Sequence, residues 1–287
     1  MSGLNPGQIQ TYADTGVLHP IRVMSAKAAR TLRDAIEVLE QTHGDGAGGH
    51  DLRQFFRVNG QLVIPLLANI ARTPAILDVV EGLLGPDLLV WSVELFIKEP
   101  GDGTHVTWHQ DITYWGMGET NEEVTAWLAL SDVTVEAGCM RFIPGSHKNG
   151  IVDHTDTFAD DNLLSRGQHI TNVDETAAVP GPLQPGEISL HHGRTFHASA
   201  PNRSHDRRVG GAIRYVTPGV RQAPDTGRDY AMLVRGQDAQ KGWINVAAPI
   251  RLFEPGALRL YDAVLAAQSA TLAAGAERDV SLYAKQS

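Results

Sequence analysis

In Thr107-Trp108-His109-Gln110-Asp111 a histidine and an aspartate lie two positions apart. On a β-strand that spacing puts both side chains on one face. A second histidine brought in by the fold would complete a two-histidine, one-carboxylate face on a divalent metal. Such a face leaves coordination positions open and suits non-haem iron(II) oxygen chemistry. The chain has twelve histidines, so His-X-Asp can arise by accident and needs context. His105 and His109 are four apart, as in a helical zinc motif, but no glutamate follows His105 and Val106-Thr107-Trp108 suits a strand. His105 is read as an edge residue beside the site.

The context lies between His191 and Arg208. His191, His192 and His197 each compete to be the further ligand. Hydroxyls and arginines follow, among them Ser199, Arg207 and Arg208. An arginine fork binds a carboxylate through two parallel hydrogen bonds, and a serine hydroxyl can add a third. A metal that must hold a keto acid needs open positions and a cationic anchor beyond them. Adjacent strand residues face opposite ways, so only one of Arg207 and Arg208 should point inward.

These segments need a scaffold to bring them together. Asn5-Pro6 caps a short helix to about Thr15, and after an extended stretch from Gly16 to Val23, Ser25 caps a longer one to about Thr42. His43 to Gly49 reads as a plain connector, since no P-loop lysine follows it. Thr73-Pro74 starts a helix with Ile76, Leu77, Val80 and Leu83 on one side, ended by Gly85-Pro86. From Asp87 the texture changes. Leu88–Ile97, Val124–Ser131, Cys139–Pro144, Glu187–His191 and Ala212–Val216 read as strands, separated by Gly/Pro turns. Many short strands point to a sandwich or jelly roll, here mainly β with flanking helices. A last helix is expected from about Pro255 to Ala273. Residues 146–174 have weak periodicity and read as a long functional loop. With no repeat and no linker, 1–287 reads as a single domain with its jelly-roll core at about 87–217.

Composition narrows the partners. With 42% hydrophobic and 20% charged residues the chain reads as an ordinary globular protein. Its 33 acidic against 24 basic residues argue against non-specific nucleic-acid binding. No apolar run approaches a membrane span and no signal peptide is evident, so a cytoplasmic protein is the default expectation. The lone Cys139 excludes an internal disulfide and a cysteine-based zinc site. Oligomeric state stays open.

At these motifs the chain resembles the phytanoyl-CoA dioxygenase family of Fe(II)- and 2-oxoglutarate-dependent oxygenases. The match runs through Trp108-His109-Gln110-Asp111, Trp127-Leu128-Ala129-Leu130-Ser131-Asp132 and Gly138-Cys139-Met140-Arg141-Phe142-Ile143-Pro144-Gly145-Ser146-His147. It ends with His197-Ala198-Ser199-Ala200-Pro201-Asn202-Arg203-Ser204 and Arg208, and Gln8–Val17 looks like the family's opening helix and turn. The resemblance covers roughly residues 5 to 217. It implies a double-stranded β-helix (a cupin-like jelly roll) and three cofactors or co-substrates: Fe(II), 2-oxoglutarate and O2. It also implies His109, Asp111 and His197 as iron ligands. Arg208, eleven positions after His197, would pair with the far carboxylate of 2-oxoglutarate, helped by Ser199. Gln110 and Trp127 match positions lining the co-substrate, with Lys98 a further candidate. His197 is preferred over His191 and His192 because it alone carries both the Ser199 and the Arg208 spacing. Halogenating relatives replace the metal carboxylate with a small residue; Asp111 is present here, which favours hydroxylation.

The resemblance implies a small-molecule substrate oxidised as 2-oxoglutarate breaks down to succinate and CO2. A coenzyme A thioester would favour a basic surface, whereas the 146–174 loop carries Asp153, Asp156, Asp160, Asp161 and Asp174. Arg57, Arg141 and Arg214, in strand-like contexts, could read a carboxylate or phosphonate from inside the barrel. Tyr114 and Trp115 could pack on an apolar body or a quaternary amine. The reading is a small polar metabolite such as an amino acid derivative, betaine or aminophosphonate. The alternatives are an acyl-CoA or natural-product intermediate, a non-catalytic binding jelly roll, and a cupin-type hydrolase or isomerase.

Overall fold

The computed structural model describes residues 3–159, 161–222 and 227–273. Its helices are α1 (Pro6–Thr15), α2 (Ala26–His43), α3 (Leu52–Arg57), α4 (Pro65–Ala71), α5 (Pro74–Leu84) and α6 (Pro255–Ala273). Local chemistry sets their starts. Asn5 and Gln8 form a reciprocal capping box on α1, at 2.9 and 3.0 Å. Ser25 accepts from the Ala28 N–H on α2, and Asp51 accepts from Gln54 on α3. Helices α3 and α4 are too short to show a period in the sequence. Among the described residues no helix is long and apolar enough to cross a membrane.

The strands are β1 (Val17–Arg22), β2 (Leu88–Lys98), β3 (Val106–His109), β4 (Glu123–Ala129), β5 (Met140–Phe142), β6 (Thr155–Asp156) and β7 (Gln168–His169). They continue with β8 (Val179–Gly181), β9 (Glu187–His191), β10 (His197–Ser199), β11 (Arg208–Val216), β12 (Tyr230–Arg235) and β13 (Ile244–Asn245). A large sheet runs β1-β9-β4-β11-β2-β12-β13, and a small one runs β3-β10-β5-β8. Pairing is antiparallel throughout both sheets except between β12 and β13. The large sheet therefore takes strands from outside 87–217 at both ends. The stretch from Gly16 to Val23 is its edge, where Pro20 can sit without breaking a ladder.

Alternation divides each central strand between two environments. On β11, Val209, Ile213 and Tyr215 enter a core shared with the helices, alongside Ile36, Phe55, Leu67, Ile76 and Tyr261. Each such side chain contributes about 1.5–3 kcal/mol by burial. The opposite parity, Arg208, Ala212 and Arg214, faces a cavity between the two sheets. On β4 the same division puts Val124, Ala126 and Leu128 under the helices. Thr125 and Trp127 face the cavity. The gap between sheets is closed by Phe96, Trp127 and Ala212 from one side and Met140 and Phe142 from the other.

The loop of residues 146–174 is tied down at several points. It contains the β6–β7 hairpin, and Ile170 donates its N–H to Trp108 O at 2.8 Å. Arg166 donates to Asp156 Oδ2 at 2.8 Å and to Leu272 O at 2.8 Å, so two of the loop's charges are spent internally and one arm reaches α6. Asp161 faces His105 at 3.6 Å, and Asp174 caps a short turn through the Thr176 N–H. Asp160 and the side chain of Tyr114 lie outside the described residues.

Gly210 on β11 leaves room for the Trp127 ring: a Cβ there would stand 2.1 Å from it. Gly210→Ala is expected to cost about 1–3 kcal/mol by overpacking. Urea unfolding followed by tryptophan fluorescence would measure this; no loss would mean that Trp127 is loosely held.

Candidate functional site

Backbone pairing assembles the site. His197 on β10 stands directly opposite His109 on β3, so two residues far apart in the chain present their rings on one face, with centroids 4.1 Å apart. The strand β3 ends at His109, and Asp111 opens a short 3-10 turn rather than continuing the strand. Gln110 between them keeps extended angles (φ −112°, ψ 129°), which is why His109 and Asp111 still share a side. Nε2 of His109 lies 3.4 Å from Asp111 Oδ1, and Nε2 of His197 lies 4.0 Å from the same oxygen. All three donor atoms fall within 4.8 Å of one another.

The surroundings prepare these groups for a cation. His197 Nδ1 lies 2.9 Å from Thr195 O, and His109 Nδ1 lies 2.9 Å from Thr107 O and 3.1 Å from His197 O. Each Nδ1 is thus assigned the proton, which leaves each Nε2 lone pair facing the Asp111 side. Burial, with neighbouring imidazoles, holds His197 well below the usual imidazole range and so neutral. Burial alone would raise the Asp111 carboxyl, but the Arg214 guanidinium and the imidazoles of His109, His191 and His197 beside it outweigh burial and hold the group well below the carboxylate range. Two imidazole nitrogens and one carboxylate oxygen fit a divalent iron with open positions. Thr125 donates to Asp111 Oδ2 at 3.2 Å, and Arg214 Nη2 stands 3.7 Å from Oδ1 while its Nη1 binds Glu94 at 2.6 Å.

His191 and His192 take other places. His191 is buried with its Nε2 3.4 Å from Asp111 Oδ2, beside the ligand set. Neither of its ring nitrogens has a hydrogen-bond partner, so nothing orients it as Thr195 O orients His197. His192 accepts the Arg194 N–H on Nδ1 at 3.0 Å, 3.1 Å from Glu123. Burial pushes the Glu123 carboxyl up to about 8 and His192 down to about 3, so both are neutral at pH 7.

Behind the ligands lies a smaller cavity of about 30 Å³, lined by Thr125, Trp127, His197, Ser199, Arg208 and Arg214 among others. Arg208 points into it as Arg207 points out. Arg207 instead grips Glu40 at 2.8 and 2.9 Å and Glu99 at 2.8 Å on the surface. Lys98 pairs across the sheet with Arg208, and both side chains are buried. Lys98 Nζ donates to Ser199 Oγ at 2.8 Å, Ser199 O at 3.2 Å and Ala200 O at 2.7 Å, which uses its three N–H groups. Arg208 donates to Gly138 O at 2.8 Å, its Nε is buried without a partner, and its guanidinium lies 5.3 Å from the Trp127 ring. Burial first, and the Arg208 charge second, pushes Lys98 down to about 6; burial pushes Arg208 down to about 10.

Gln110 is placed differently from the sequence expectation. Its side chain donates to Gly150 O at 2.7 Å and Arg194 O at 2.8 Å and accepts the Val152 N–H at 2.9 Å, so it straps a loop to the site. The odd partner in alternation, it cannot point with His109 and Asp111. Arg141 faces out of the barrel, bound to Glu175 at 2.9 Å and lying 5.3 Å from Trp108. Arg57 closes helix α3 rather than sitting on a strand; it lies over Phe96 at 4.6 Å and lines a larger cavity.

That larger cavity, about 90 Å³, shares His109, Asp111, Phe96, Leu164 and Arg214 with the smaller one. The ligand face is therefore the point where the two cavities meet. Trp91, Glu94, Trp115, Asp229 and Gln268 also line the larger space. Glu94 shares strand parity with Phe96 and Lys98, and that signal was available in the sequence. Asp229 and Gln268, on distant elements, carried none.

A family model for phytanoyl-CoA dioxygenase matches residues 12–210 of the chain. A probable alpha-ketoglutarate-dependent hypophosphite dioxygenase of Stutzerimonas stutzeri is 27% identical over 218 residues, 70% of this chain and 74% of that protein. An L-proline trans-4-hydroxylase of Streptomyces griseoviridis is 32% identical over 234 residues, 71% of this chain and 83% of that protein. The solved apo structure of the non-heme monooxygenase ThoJ is 32% identical with a TM-score of 0.82, covering 92% of this chain and 97% of that one.

His197→Ala is expected to abolish stoichiometric Co(II) binding, measured by titration of the visible cobalt spectrum. His191→Ala should weaken it by only about 10–100-fold, as loss of a group that positions Asp111. Equal loss in both would make His191 a ligand.

Proposed function

The chain belongs to the phytanoyl-CoA dioxygenase family of Fe(II)- and 2-oxoglutarate-dependent oxygenases, and on that premise we propose that it hydroxylates a small polar metabolite with release of succinate and CO2. His109, Asp111 and His197 hold the iron. When bound, the iron supplies dioxygen activation and oxidation of the substrate C–H bond. The smaller cavity takes 2-oxoglutarate, and the larger one takes the substrate.

One observation carries the co-substrate assignment. Lys98 and Arg208 are buried side by side behind the ligand face, and no carboxylate among the described residues lies within ion-pair distance of either. Two such groups repel and are costly to bury alone. A guest with a carboxylate at its far end supplies the missing counter-ion, and 2-oxoglutarate has one beyond its metal-binding keto acid. Arg208 makes the direct contact. Lys98 acts through Ser199: because it donates to Ser199 Oγ, the serine proton is left to donate to the guest. Trp127 supports the Arg208 plane, and Gly210 gives Trp127 its place. The buried wall of Phe96, Met140 and Ala198 excludes water from the reacting groups.

The substrate reading rests on the larger cavity. It is modest in volume and mixes Arg57, Arg214 and Asp229 with Trp91 and Trp115. That lining suits a compact charged molecule better than a long acyl chain. Asp111 supports hydroxylation, since the metal carboxylate is kept. Residues 1–287 are taken as one functional unit, because the helix-side core joins Ala29 of α2 to Val264 of α6 through the large sheet.

Arg208→Ala is expected to raise the Kd for 2-oxoglutarate on the order of a hundredfold, from loss of a buried charge-assisted contact worth about 3 kcal/mol. Arg207→Ala should leave it near the parent value. The measurement is the visible band formed by Fe(II) and 2-oxoglutarate under nitrogen; equal effects would mean the wrong arginine has been chosen. The substrate class is tested by succinate release across amino acids, betaines, phosphonates and acyl-CoAs, and turnover with acyl-CoAs alone would reject it.

A further inference from the structure

We propose that the larger cavity recognises a cationic nitrogen on the substrate and that Asp229 is the group that binds it. This rests on the oxygenase reading and adds the chemistry by which the substrate is chosen. Asp229 precedes β12 beside β2, and its carboxylate lines the same cavity as His109 and Asp111. Its Oδ2 accepts from Trp91 Nε1 at 2.6 Å, and its Oδ1 accepts from the Tyr230 N–H at 2.7 Å. Gln268 Nε2 stands 3.2 and 3.1 Å from the two oxygens.

All three partners are donors, so the site is built for an ionised carboxylate, and all three are neutral, so none balances its charge. Among the described residues no lysine, arginine or histidine lies within ion-pair distance of Asp229. Burial works against the charge and raises the carboxyl above its ordinary range, with Trp91, Tyr230 and Gln268 opposing. The other carboxylates of the cavity wall both lie against Arg214. Glu94 binds Arg214 at 2.6 Å, and Asp111 belongs to the metal face with Arg214 at 3.7 Å. Among the described residues Asp229 is the carboxylate of this wall with no basic partner.

Two indoles stand beside it. Trp91 and Trp115 lie 5.0 Å apart by ring centroid and both line the cavity. Trp115 already faces the Arg214 guanidinium at 5.1 Å, so one cation is held against this aromatic pair within the chain itself. A carboxylate held by an indole N–H, with a second indole in the same cavity wall, accommodates a protonated or quaternary amine.

The test is titration calorimetry under nitrogen on the protein loaded with Fe(II) and 2-oxoglutarate, using matched isosteres. Glycine betaine is paired with 3,3-dimethylbutanoate, L-proline with tetrahydrofuran-2-carboxylate, and L-leucine with 4-methylpentanoate. At least one cationic member should bind about tenfold or more tightly than its isostere. Asp229→Asn should erase that preference while the band from iron and 2-oxoglutarate is unchanged, which shows that the variant is folded. Trp91→Phe, which removes the indole donor and keeps an aromatic ring, should reduce the preference. Isosteres that bind equally well, a preference that survives in Asp229→Asn, or no binding by any cationic member overturns the assignment. If the band is missing from the parent protein the oxygenase reading fails, and the same titrations without metal then decide the role of Asp229.

Discussion

The site hangs on one antiparallel pairing. When β10 lies against β3 with His197 opposite His109, two imidazoles are delivered to a single point by backbone hydrogen bonds rather than by flexible side chains. The carbonyls of Thr107, Thr195 and His197 then accept from the Nδ1 atoms, so the strand ends that place the rings also choose their tautomers. Asp111 follows because a single extended residue, Gln110, joins it to the same strand, and that residue's side chain is spent holding the adjoining loop. A slip of one residue in this register would turn a ligand ring to the opposite face.

Around that point the interior of the sandwich is charged on one face and apolar on the other. Strand β11 carries Arg208 and Arg214 toward the cavities and Val209, Ile213 and Tyr215 toward the helices, at alternate positions. The helix-side core stabilises the sheet enough to tolerate buried ionic groups that stabilise nothing by themselves. Those groups fall into matched and unmatched sets. Arg214 sits between Glu94 and Asp111, whereas among the described residues Lys98 and Arg208 on one side, and Asp229 on the other, have no ion-pair partner. The two cavities meet at His109, Asp111 and Arg214.

Much of the local structure was legible in the sequence. Asn5 with Gln8, and Ser25, mark helix starts through capping contacts within a few residues, Thr73-Pro74 marks one through proline at the first helical position, and the observed helices begin where those residues stand. The strands from Leu88, Glu123, Met140 and Glu187 follow from apolar, β-branched runs between glycine and proline turns. Short elements were not legible: α3 and α4 span less than two turns, too little for a period to register. Nor was the edge strand β1, whose proline argues against pairing unless its place at the sheet margin is known.

For the site, the sequence by itself determined the ligand types and their spacing, a histidine two residues from an aspartate with a later histidine followed by serine and arginine. It also determined that Arg207 and Arg208 must face opposite ways, since alternation is a property of the strand alone. Only the tertiary structure decided which of them faces inward, because that depends on the sheets and helices on either side. It alone sent Arg141 outward to Glu175, set Gln110 to strapping a loop, and placed His191 3.4 Å from Asp111 but outside the His109, Asp111 and His197 cluster. It alone brought Asp229 and Gln268 to Trp91, from segments with no mutual pattern. Side-chain direction along a strand is local physics; which strand, and which helix, a side chain then meets is set by long-range pairing.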